Sequence, residues 1–471
     1  MNVSPFSLDS RSRADAFTLL QELSENYLEE MHSLPVASPA VPFSNTFDLS
    51  HGTDPITVIQ TIVQNLRSDQ THVGSSRYFG LFQPASTMMS LFADAITSLF
   101  NSQLSSLSHC HYGIAVEQFL IREFGLRFGF SHDTCGVFTT GGAEANITAV
   151  LCSLYNRWPN LAKHGLRGAD LSPTFYLGEN THKTIVRAIR LCGIGMDCIR
   201  IVEDSGTSHG IDPEKLNRAI ERDSMNGATP VGIFGTIGTT NGGEIDDIES
   251  LAAIAKEHSA WFHVDAAWAG AVCLSSRHRH LLTGIEKADS ITFDAHKWLS
   301  VSQCAGMFIT KRGDQLKAAF DVFADYMQRE EGELADPYTY SLQWTRRFTG
   351  LKVYMSLAVA GWSAYEMLIN HHVQLGDTLR TGLTSSGWEI VNSTPLPVVC
   401  FVPVSLSPTE ADEVCERVAA DARARGRVWL STTHIRGRTA LRACITSYFT
   451  TVDDVTILIE EINDSFTRVV N

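Results

Sequence analysis

The fold is decided by an apolar run that ends in a carboxylate followed by small residues, Trp261-Phe262-His263-Val264-Asp265-Ala266-Ala267-Trp268-Ala269-Gly270. A second apolar run ends beside a lysine, Ser290-Ile291-Thr292-Phe293-Asp294-Ala295-His296-Lys297-Trp298-Leu299-Ser300. Short apolar runs are typical of buried strands, and a polar residue at the end of such a strand lies in the crevice where open α/β sheets bind ligands. We therefore predict two strands, with Asp265 and Lys297 just beyond their ends.

Between about residues 134 and 310, short apolar runs alternate with longer amphipathic ones. This alternation predicts an α/β fold with a largely parallel sheet that is covered by helices on both faces. The predicted strands are residues 174–177, 198–202, 231–234, 261–264, 290–293 and 306–309. The predicted helices between them include residues 143–156, 182–192, 213–224 and 247–258.

The chain of 471 residues is long enough for a large domain with a smaller partner. A long apolar helical stretch precedes a final part that has strand-like runs of its own and a closing amphipathic helix. We expect an N-terminal segment over residues 1–85, a large ligand-binding domain over residues 86–370, and a smaller C-terminal α+β domain over residues 371–471.

Charge and cysteine content restrict the partners and the compartment. The formal net charge is −15, which argues against nucleic acid or an anionic membrane as a partner because both reward clustered lysine and arginine. Ten cysteines without a CxxC pair favour reduced thiols. The sequence shows neither a signal-peptide pattern nor a membrane-length apolar stretch, so we expect a cytoplasmic protein.

Several polar clusters outside these runs are expected to be structural. His109, Cys110 and His111 suggest a metal site by spacing, but no second ligand pair follows, and we expect no metal. The pair His371-His372 and residues 277–280 are expected on the surface. Asp246 and Asp247 read as the start of a helix.

Three segments combine into a candidate site. The turn Phe138-Thr139-Thr140-Gly141-Gly142-Ala143-Glu144-Ala145-Asn146 reads either as a phosphate cradle at a helix start or as an ordinary tight turn. Asp265 suits the ring nitrogen of pyridoxal 5′-phosphate (PLP), with small Ala267 under the ring, or simply caps a loop. Lys297 reads as a partly desolvated amine able to form an imine, or as a lysine that extends from an apolar edge to solvent.

The three segments together resemble the group II PLP-dependent amino-acid decarboxylases, and the resemblance runs from about Arg77 to Tyr448. That family includes aromatic amino-acid, glutamate, cysteine-sulfinate and some diaminobutyrate decarboxylases. The resemblance implies the type I fold of PLP enzymes, PLP as the cofactor, an amino acid as the substrate and a homodimer.

The resemblance also implies residue roles. Lys297 corresponds to the lysine that forms the Schiff base, Asp265 to the partner of the ring nitrogen, and His182 to the histidine that stacks on the open ring face. Gly142, Ala143 and His296 correspond to residues that contact the phosphate, and Thr240 corresponds to a residue near the cofactor edge.

Two positions bear on mechanism and on variation within the family. Asp294 stands where some relatives carry asparagine and other members use aspartate, which puts its phosphate contact in doubt without affecting the rest of the site. Tyr326, 29 residues after Lys297, matches a catalytic tyrosine on a loop that protonates the substrate Cα. Related enzymes with phenylalanine at this place tend toward oxidative deamination to an aldehyde, so tyrosine favours simple decarboxylation.

The predicted substrate pocket includes Phe82 and Gln83, with His111 on a second wall that relatives often take from the partner subunit. Phe82 matches the residue of the aromatic amino-acid decarboxylases at this position, whereas Gln83 could hydrogen-bond a polar side chain of the substrate. The sequence therefore predicts decarboxylation of an L-amino acid, with an aromatic one favoured. An aldehyde synthase or an aminotransferase on the same scaffold and a non-catalytic homologue are the alternatives.

Overall fold

We describe the protein from a computed structural model, which covers residues 7–38, 43–165, 171–204, 206, 210–322 and 335–471. Tyr326, the tyrosine to which the sequence assigns a catalytic role, lies outside these described residues. Within them, no helix combines the length and the apolar character that crossing a membrane requires.

Seven strands form the central sheet: β1 (Cys135–Thr139), β2 (Pro173–Gly178), β3 (Ile199–Val202), β4 (Thr229–Thr236), β5 (Trp261–Asp265), β6 (Ser290–Asp294) and β7 (Gly306–Thr310). Their order is β1-β7-β6-β5-β4-β2-β3. The five strands from β6 to β3 in this order are parallel, whereas β7 is antiparallel to both β1 and β6. The predicted largely parallel sheet is confirmed. The exception has a physical reason, since residues 295–305 are too few for the helical crossover that a parallel neighbour needs.

The register of the middle strands decides where the polar residues meet. Thr236 of β4 pairs with Asp265 of β5, and Asp265 pairs with Thr292 of β6. Every residue of β5 and β6 is buried, as expected for parallel strands covered on both faces. The carboxyl ends of these strands therefore lie side by side, which places Asp265 next to the loop that carries Lys297.

The helices of the described chain begin mostly at residues that favour a helix start. Asp212 and Asp247 each accept backbone N–H bonds at the start of a helix. The helices are α1 (Ser10–Glu30), α2 (Pro55–Ser68), α3 (Met88–Phe100), α4 (Leu107–Arg127), α5 (Gly142–Arg157), α6 (Leu161–His164), α7 (Lys183–Leu191), α8 (Pro213–Met225), α9 (Ile248–Glu257), α10 (Gly313–Phe320), α11 (Gly350–Ser385), α12 (Pro408–Ala424) and α13 (Val452–Val470).

Asp246 differs from its neighbour Asp247. The sequence assigned both to a helix start, but the carboxylate of Asp246 accepts hydrogen bonds from the backbone N–H groups of Thr236 and Ile211, at 2.6 and 2.7 Å. Burial raises the pKa of Asp246 to about 6. Its role is structural, as predicted, but it secures the end of β4 instead of capping α9.

A second sheet lies in the C-terminal part of the chain. Its four strands are antiparallel and lie in the order β10-β11-β9-β8, with β8 at Trp388–Ile390, β9 at Val398–Pro403, β10 at Ser431–Ile435 and β11 at Arg438–Cys444. Helices α12 and α13 pack against each other beside it. The expected domain boundary at residue 371 falls inside α11, and the division of the chain into domains stays a prediction.

The prediction that His371 and His372 both lie on the surface is wrong for His372. Its side chain is fully buried on α11, while His371 is exposed, because consecutive helical residues point in different directions. The indole N–H of Trp298 donates to His372 Nδ1 at 2.8 Å, and His372 Nε2 donates to the carbonyl of Ser447 at 3.0 Å. His372 therefore ties the residue after Lys297 to the C-terminal part of the chain.

This contact predicts a pH-dependent stability. Burial lowers the pKa of His372 to about 3, so between pH 6.5 and 3 only the unfolded chain takes up this proton. The free energy of unfolding therefore decreases as the pH falls, and this histidine alone accounts for a loss of about 2 kcal/mol at pH 5. We expect thermal unfolding of His372→Leu to depend less on pH between 7 and 5 than that of the wild type. The matched control is His371→Leu, which should keep the wild-type dependence. An unchanged pH dependence in His372→Leu would contradict this account.

Candidate active site

A cavity of about 320 Å³ opens at the carboxyl edge of the central sheet. Its wall contains all nine residues that the sequence assigned to the cofactor, from five separate segments of the chain. These residues are Gly142, Ala143, His182, Thr240, Asp265, Ala267, Asp294, His296 and Lys297. Gly141, Asn146, Thr184, Thr236, Gly238 and Trp268 complete the lining.

Lys297 reaches the cavity from the loop after β6. Its Nζ lies 2.9 Å from Asp294 Oδ2, and its backbone N–H donates to the carbonyl of Asp294 at 3.1 Å. The lysine side chain is 26% exposed, whereas that of Asp294 is 1% exposed. The amine therefore faces the cavity beside a buried carboxylate, and Asp294 holds the lysine by charge.

Asp265 ends β5 on the neighbouring wall. Its Oδ1 accepts a hydrogen bond from the backbone N–H of Ala267 at 3.1 Å, and its Oδ2 accepts one from Asn146 Nδ2 at 3.0 Å. Both bonds come from N–H donors, so each carboxylate oxygen is held in place by one hydrogen bond. The loop after β5 is joined to β6 by the N–H of Asp294, which donates to the carbonyl of Ala267 at 2.8 Å.

The glycine turn approaches this loop closely. Helix α5 begins at Gly142 without a side-chain cap, so its first N–H groups and the positive end of its dipole face the cavity. A Cβ on Gly142 would lie 3.0 Å from Asp294 Oδ2, and one on Gly306 would lie 2.5 Å from the Cα of Gly141. The turn therefore depends on the missing side chains, and the cradle that the sequence suggested is formed by backbone.

His296 and His182 complete the cavity wall. His296 Nδ1 accepts the N–H of Ala305 at 3.0 Å, which leaves the hydrogen on Nε2; burial lowers the pKa of this histidine and the charge of Asp294 opposes the shift. His182 precedes α7, and its Nδ1 lies 2.7 Å from Thr184 Oγ1. Desolvation at the cavity wall lowers its pKa, although the side chain remains exposed at the mouth. Both rings are therefore held in the neutral form that can donate from Nε2.

The predicted substrate residues lie outside this lining. Phe82 stacks on Trp268, with ring centres 4.3 Å apart and planes 16° apart, and the Trp268 indole donates to the carbonyl of Gly238 at 2.7 Å. Phe82 is thus one layer behind the cavity wall. Gln83 is half-buried and does not line the cavity, and His111 is exposed on α4. Sequence reasoning missed Trp268, whose bulk beside Ala267 was the available signal.

A buried ion pair lies apart from the cavity. Arg346 is buried and pairs with Glu117, which also accepts the N–H of Gly350 at 2.9 Å. This contact joins α4 to the start of α11 and is structural. Across the part of the chain that the structure describes, no group of three or more His, Cys, Asp or Glu side chains is arranged to hold a metal.

The residues present fit PLP. The cavity lies within the range of about 300–1,000 Å³ found for cofactor pockets, and the uncapped start of α5 offers N–H donors to a phosphate. A carboxylate held by two N–H donors suits a protonated ring nitrogen, and a partly exposed amine suits an aldehyde. Asp294 is the exception, because it brings a second anion close to the phosphate cradle.

Comparison with known proteins agrees with this arrangement. Three curated relatives are an aromatic-L-amino-acid decarboxylase of Bacillus atrophaeus (25% identical, covering 86% of this chain and 84% of the relative), a human cysteine sulfinic acid decarboxylase (29%, covering 74% and 71%) and a phenylacetaldehyde synthase of Arabidopsis thaliana (23%, covering 93% and 89%). Among solved structures, Oryza sativa TDC with PLP and tryptamine superposes over the whole of both chains, with a TM-score of 0.93 at 22% identity.

The family comparison covers most of the chain. The model of the pyridoxal-dependent decarboxylase conserved domain matches residues 47–403, which include the glycine turn, Asp265 and Lys297. The mostly parallel sheet with a smaller antiparallel one is the type I fold of PLP enzymes that the sequence predicted. The chain belongs to the pyridoxal-dependent decarboxylase family, and it is a PLP-dependent carboxy-lyase.

Proposed function

We propose that this enzyme removes the carboxyl group of an L-amino acid, with aromatic substrates favoured, and releases the amine and carbon dioxide. The observation that carries the proposal is that the amine of Lys297 and the carboxylate of Asp265 face one cavity. An isolated lysine or aspartate at a strand end has many structural explanations. An amine, an anchored carboxylate and an uncapped helix start around one cavity satisfy three separate demands of the cofactor.

We assign the residues of the cavity as follows. Bound PLP supplies an electron sink for the pair left behind when carbon dioxide departs. Lys297 would hold the cofactor covalently and release it to the substrate amine, and Asp265 would keep the proton on the ring nitrogen. His182 and Ala267 would enclose the two ring faces. We assign Gly142, Ala143 and His296 to the phosphate. We assign Thr240, in the loop after β4, to the edge of the cofactor.

The reaction needs one proton at the substrate. The bond between Cα and the carboxylate breaks, carbon dioxide leaves, and a proton takes its place on Cα, so that amino acid and proton become amine and carbon dioxide. Asp265 would stabilise the charge that develops in this step by holding a proton on the ring nitrogen. We assign the proton delivery to Tyr326 on the strength of the family resemblance alone.

The surroundings of the cavity support an aromatic substrate. Trp268 on the wall and Phe82 stacked behind it form an aromatic layer, and aromatic rings pack favourably against such surfaces. One curated relative carries the name of an aromatic-L-amino-acid decarboxylase. Another is a cysteine sulfinic acid decarboxylase, so an acidic substrate belongs in the same test panel.

The first test removes the two groups that define the site. Lys297→Ala should fail to develop the visible absorbance of lysine-bound PLP and should show no turnover. Asp265→Asn should still bind PLP but lose roughly 100-fold or more in kcat, because the developing charge is no longer balanced. PLP binding is measured by absorbance titration. Turnover is measured by carbon dioxide release from a panel of aromatic and acidic amino acids. The control is Lys287→Ala, an exposed lysine paired with Glu249, which should match the wild type. Full activity in either site variant would contradict the proposal.

An aldehyde synthase is the second candidate, because one relative is a phenylacetaldehyde synthase. That reaction converts amino acid, oxygen and water to aldehyde, carbon dioxide, ammonia and hydrogen peroxide. We expect the wild type to yield amine without peroxide, and Tyr326→Phe to shift the product toward aldehyde with matching oxygen uptake, because the phenol that protonates Cα is gone. An oxygen electrode and product chromatography measure the partition. Wild-type peroxide in proportion to carbon dioxide would favour the synthase, and full amine yield from Tyr326→Phe would remove the proton-donor assignment.

We also propose a homodimer, as the family resemblance implies. Helices α1 and α2 bury none of their described residues, and α3 leaves Leu99 and Phe100 more than 70% exposed. Helices α1 and α2 pack against each other, and together with the exposed end of α3 they offer apolar surface that a second copy can cover. Sedimentation of the wild type should give twice the mass of one chain. The double variant Leu99→Glu with Phe100→Glu should give the mass of a single chain. Met225→Glu on α8, equally exposed, is the control. A monomeric wild type would contradict the proposal.

A further inference from the structure

Asn146 lies on the cavity wall, at the centre of a polar network that extends from the wall into the interior. Its side chain is 1% exposed and lies one helical turn past the glycine turn, on α5. Its Nδ2 donates to Asp265 Oδ2 and to Thr184 Oγ1, both at 3.0 Å. Its Oδ1 accepts from Thr292 Oγ1 at 2.8 Å and lies 3.2 Å from His263 Nε2. All the bonding capacity of the amide is used, so it is held in one orientation.

The direction of the bonds in this network follows from its two ends. The Asp265 carboxylate can only accept, so the amide nitrogen of Asn146 faces it and the amide oxygen faces His263. An amide oxygen can only accept, so His263 donates to it from Nε2, and His263 Nδ1 is left to accept the hydroxyl hydrogen of Ser290 at 2.8 Å. The Ser290 oxygen in turn accepts the indole N–H of Trp261, which can only donate, at 2.9 Å.

The rest of the network is consistent with this direction. Burial lowers the pKa of His263 to about 3, which keeps the ring neutral with one hydrogen to give. On the other side of Asn146, Thr184 accepts from the amide and its own hydroxyl hydrogen is left for His182 Nδ1, at 2.7 Å. One amide therefore sets both the carboxylate that meets the ring nitrogen and the histidine at the ring face.

We propose that Asn146 is a positioning residue that fixes the Asp265 carboxylate for the ring nitrogen, as the last member of a one-way hydrogen-bond chain that begins at Trp261. The inference rests on the proposed role of Asp265 in cofactor binding. Because every member of the chain donates toward Asp265, the amide nitrogen faces the carboxylate and the amide oxygen is turned away. An oxygen in place of that nitrogen would repel Asp265 Oδ2 at 3.0 Å.

The test replaces members of the chain and measures the cofactor directly. Asn146→Asp keeps the size of the side chain but removes the donor, and we expect roughly 10- to 100-fold weaker PLP binding together with a shifted absorbance band of the bound cofactor. Ser290→Ala removes the donor to His263 and should weaken binding in the same direction, by a smaller factor. Ser153→Ala is the control, since its hydroxyl only donates to the carbonyl of Val150 on the same helix.

The outcomes separate this inference from the proposed function. Weaker binding and a shifted band in Asn146→Asp, with cofactor-free protein that melts like the wild type, support the role. Wild-type affinity and spectrum in that variant would overturn it. If Asn146→Asp does not fold, Ser290→Ala becomes the deciding variant. An affinity of Ser290→Ala for PLP equal to that of Ser153→Ala would then contradict the proposed hydrogen-bond chain. A wild type that binds no PLP would instead remove the proposed function itself.

Discussion

The site depends on one geometric constraint: the parallel pairing of β5 with β6. Parallel neighbours end at the same edge of a sheet, and the pairing of Asp265 with Thr292 leaves the loop after β6 to continue directly beside Asp265. The backbone bond from Asp294 to the carbonyl of Ala267 then joins the two loops. A slip of one residue in β5 would turn Asp265 to the other face of the sheet, and the cavity would lose its carboxylate.

The distribution of charge in the cavity suits a cofactor with opposite charges at its two ends. In the proposed arrangement the ring-nitrogen end would meet Asp265, which accepts bonds from two N–H donors, and the phosphate end would meet the uncapped start of α5 and the Nε2 hydrogen of His296. Asp294 does not follow this scheme. Its carboxylate is buried, and the amine of Lys297 compensates its charge.

The sequence predicted those parts of the molecule that depend on local pattern. Apolar runs located the strands, and the motifs around Gly142, Asp265 and Lys297 located residues that all prove to line one cavity. Contacts between residues far apart in sequence were not predictable in this way. Nothing near Asn146 or His372 indicates that the first joins Asp265 to His263, or that the second receives the indole of Trp298. Phe82 and Gln83 do not line the cavity of the single chain, and the assignment of His111 to a wall taken from the partner subunit stays a prediction.

The most direct test of the central claim is a crystal structure of the protein with PLP bound. The account predicts continuous electron density between the cofactor and Nζ of Lys297, with the ring nitrogen within hydrogen-bonding distance of the Asp265 carboxylate. Density that joins the cofactor to another lysine, or a ring nitrogen that meets solvent while Asp265 turns away, would contradict it.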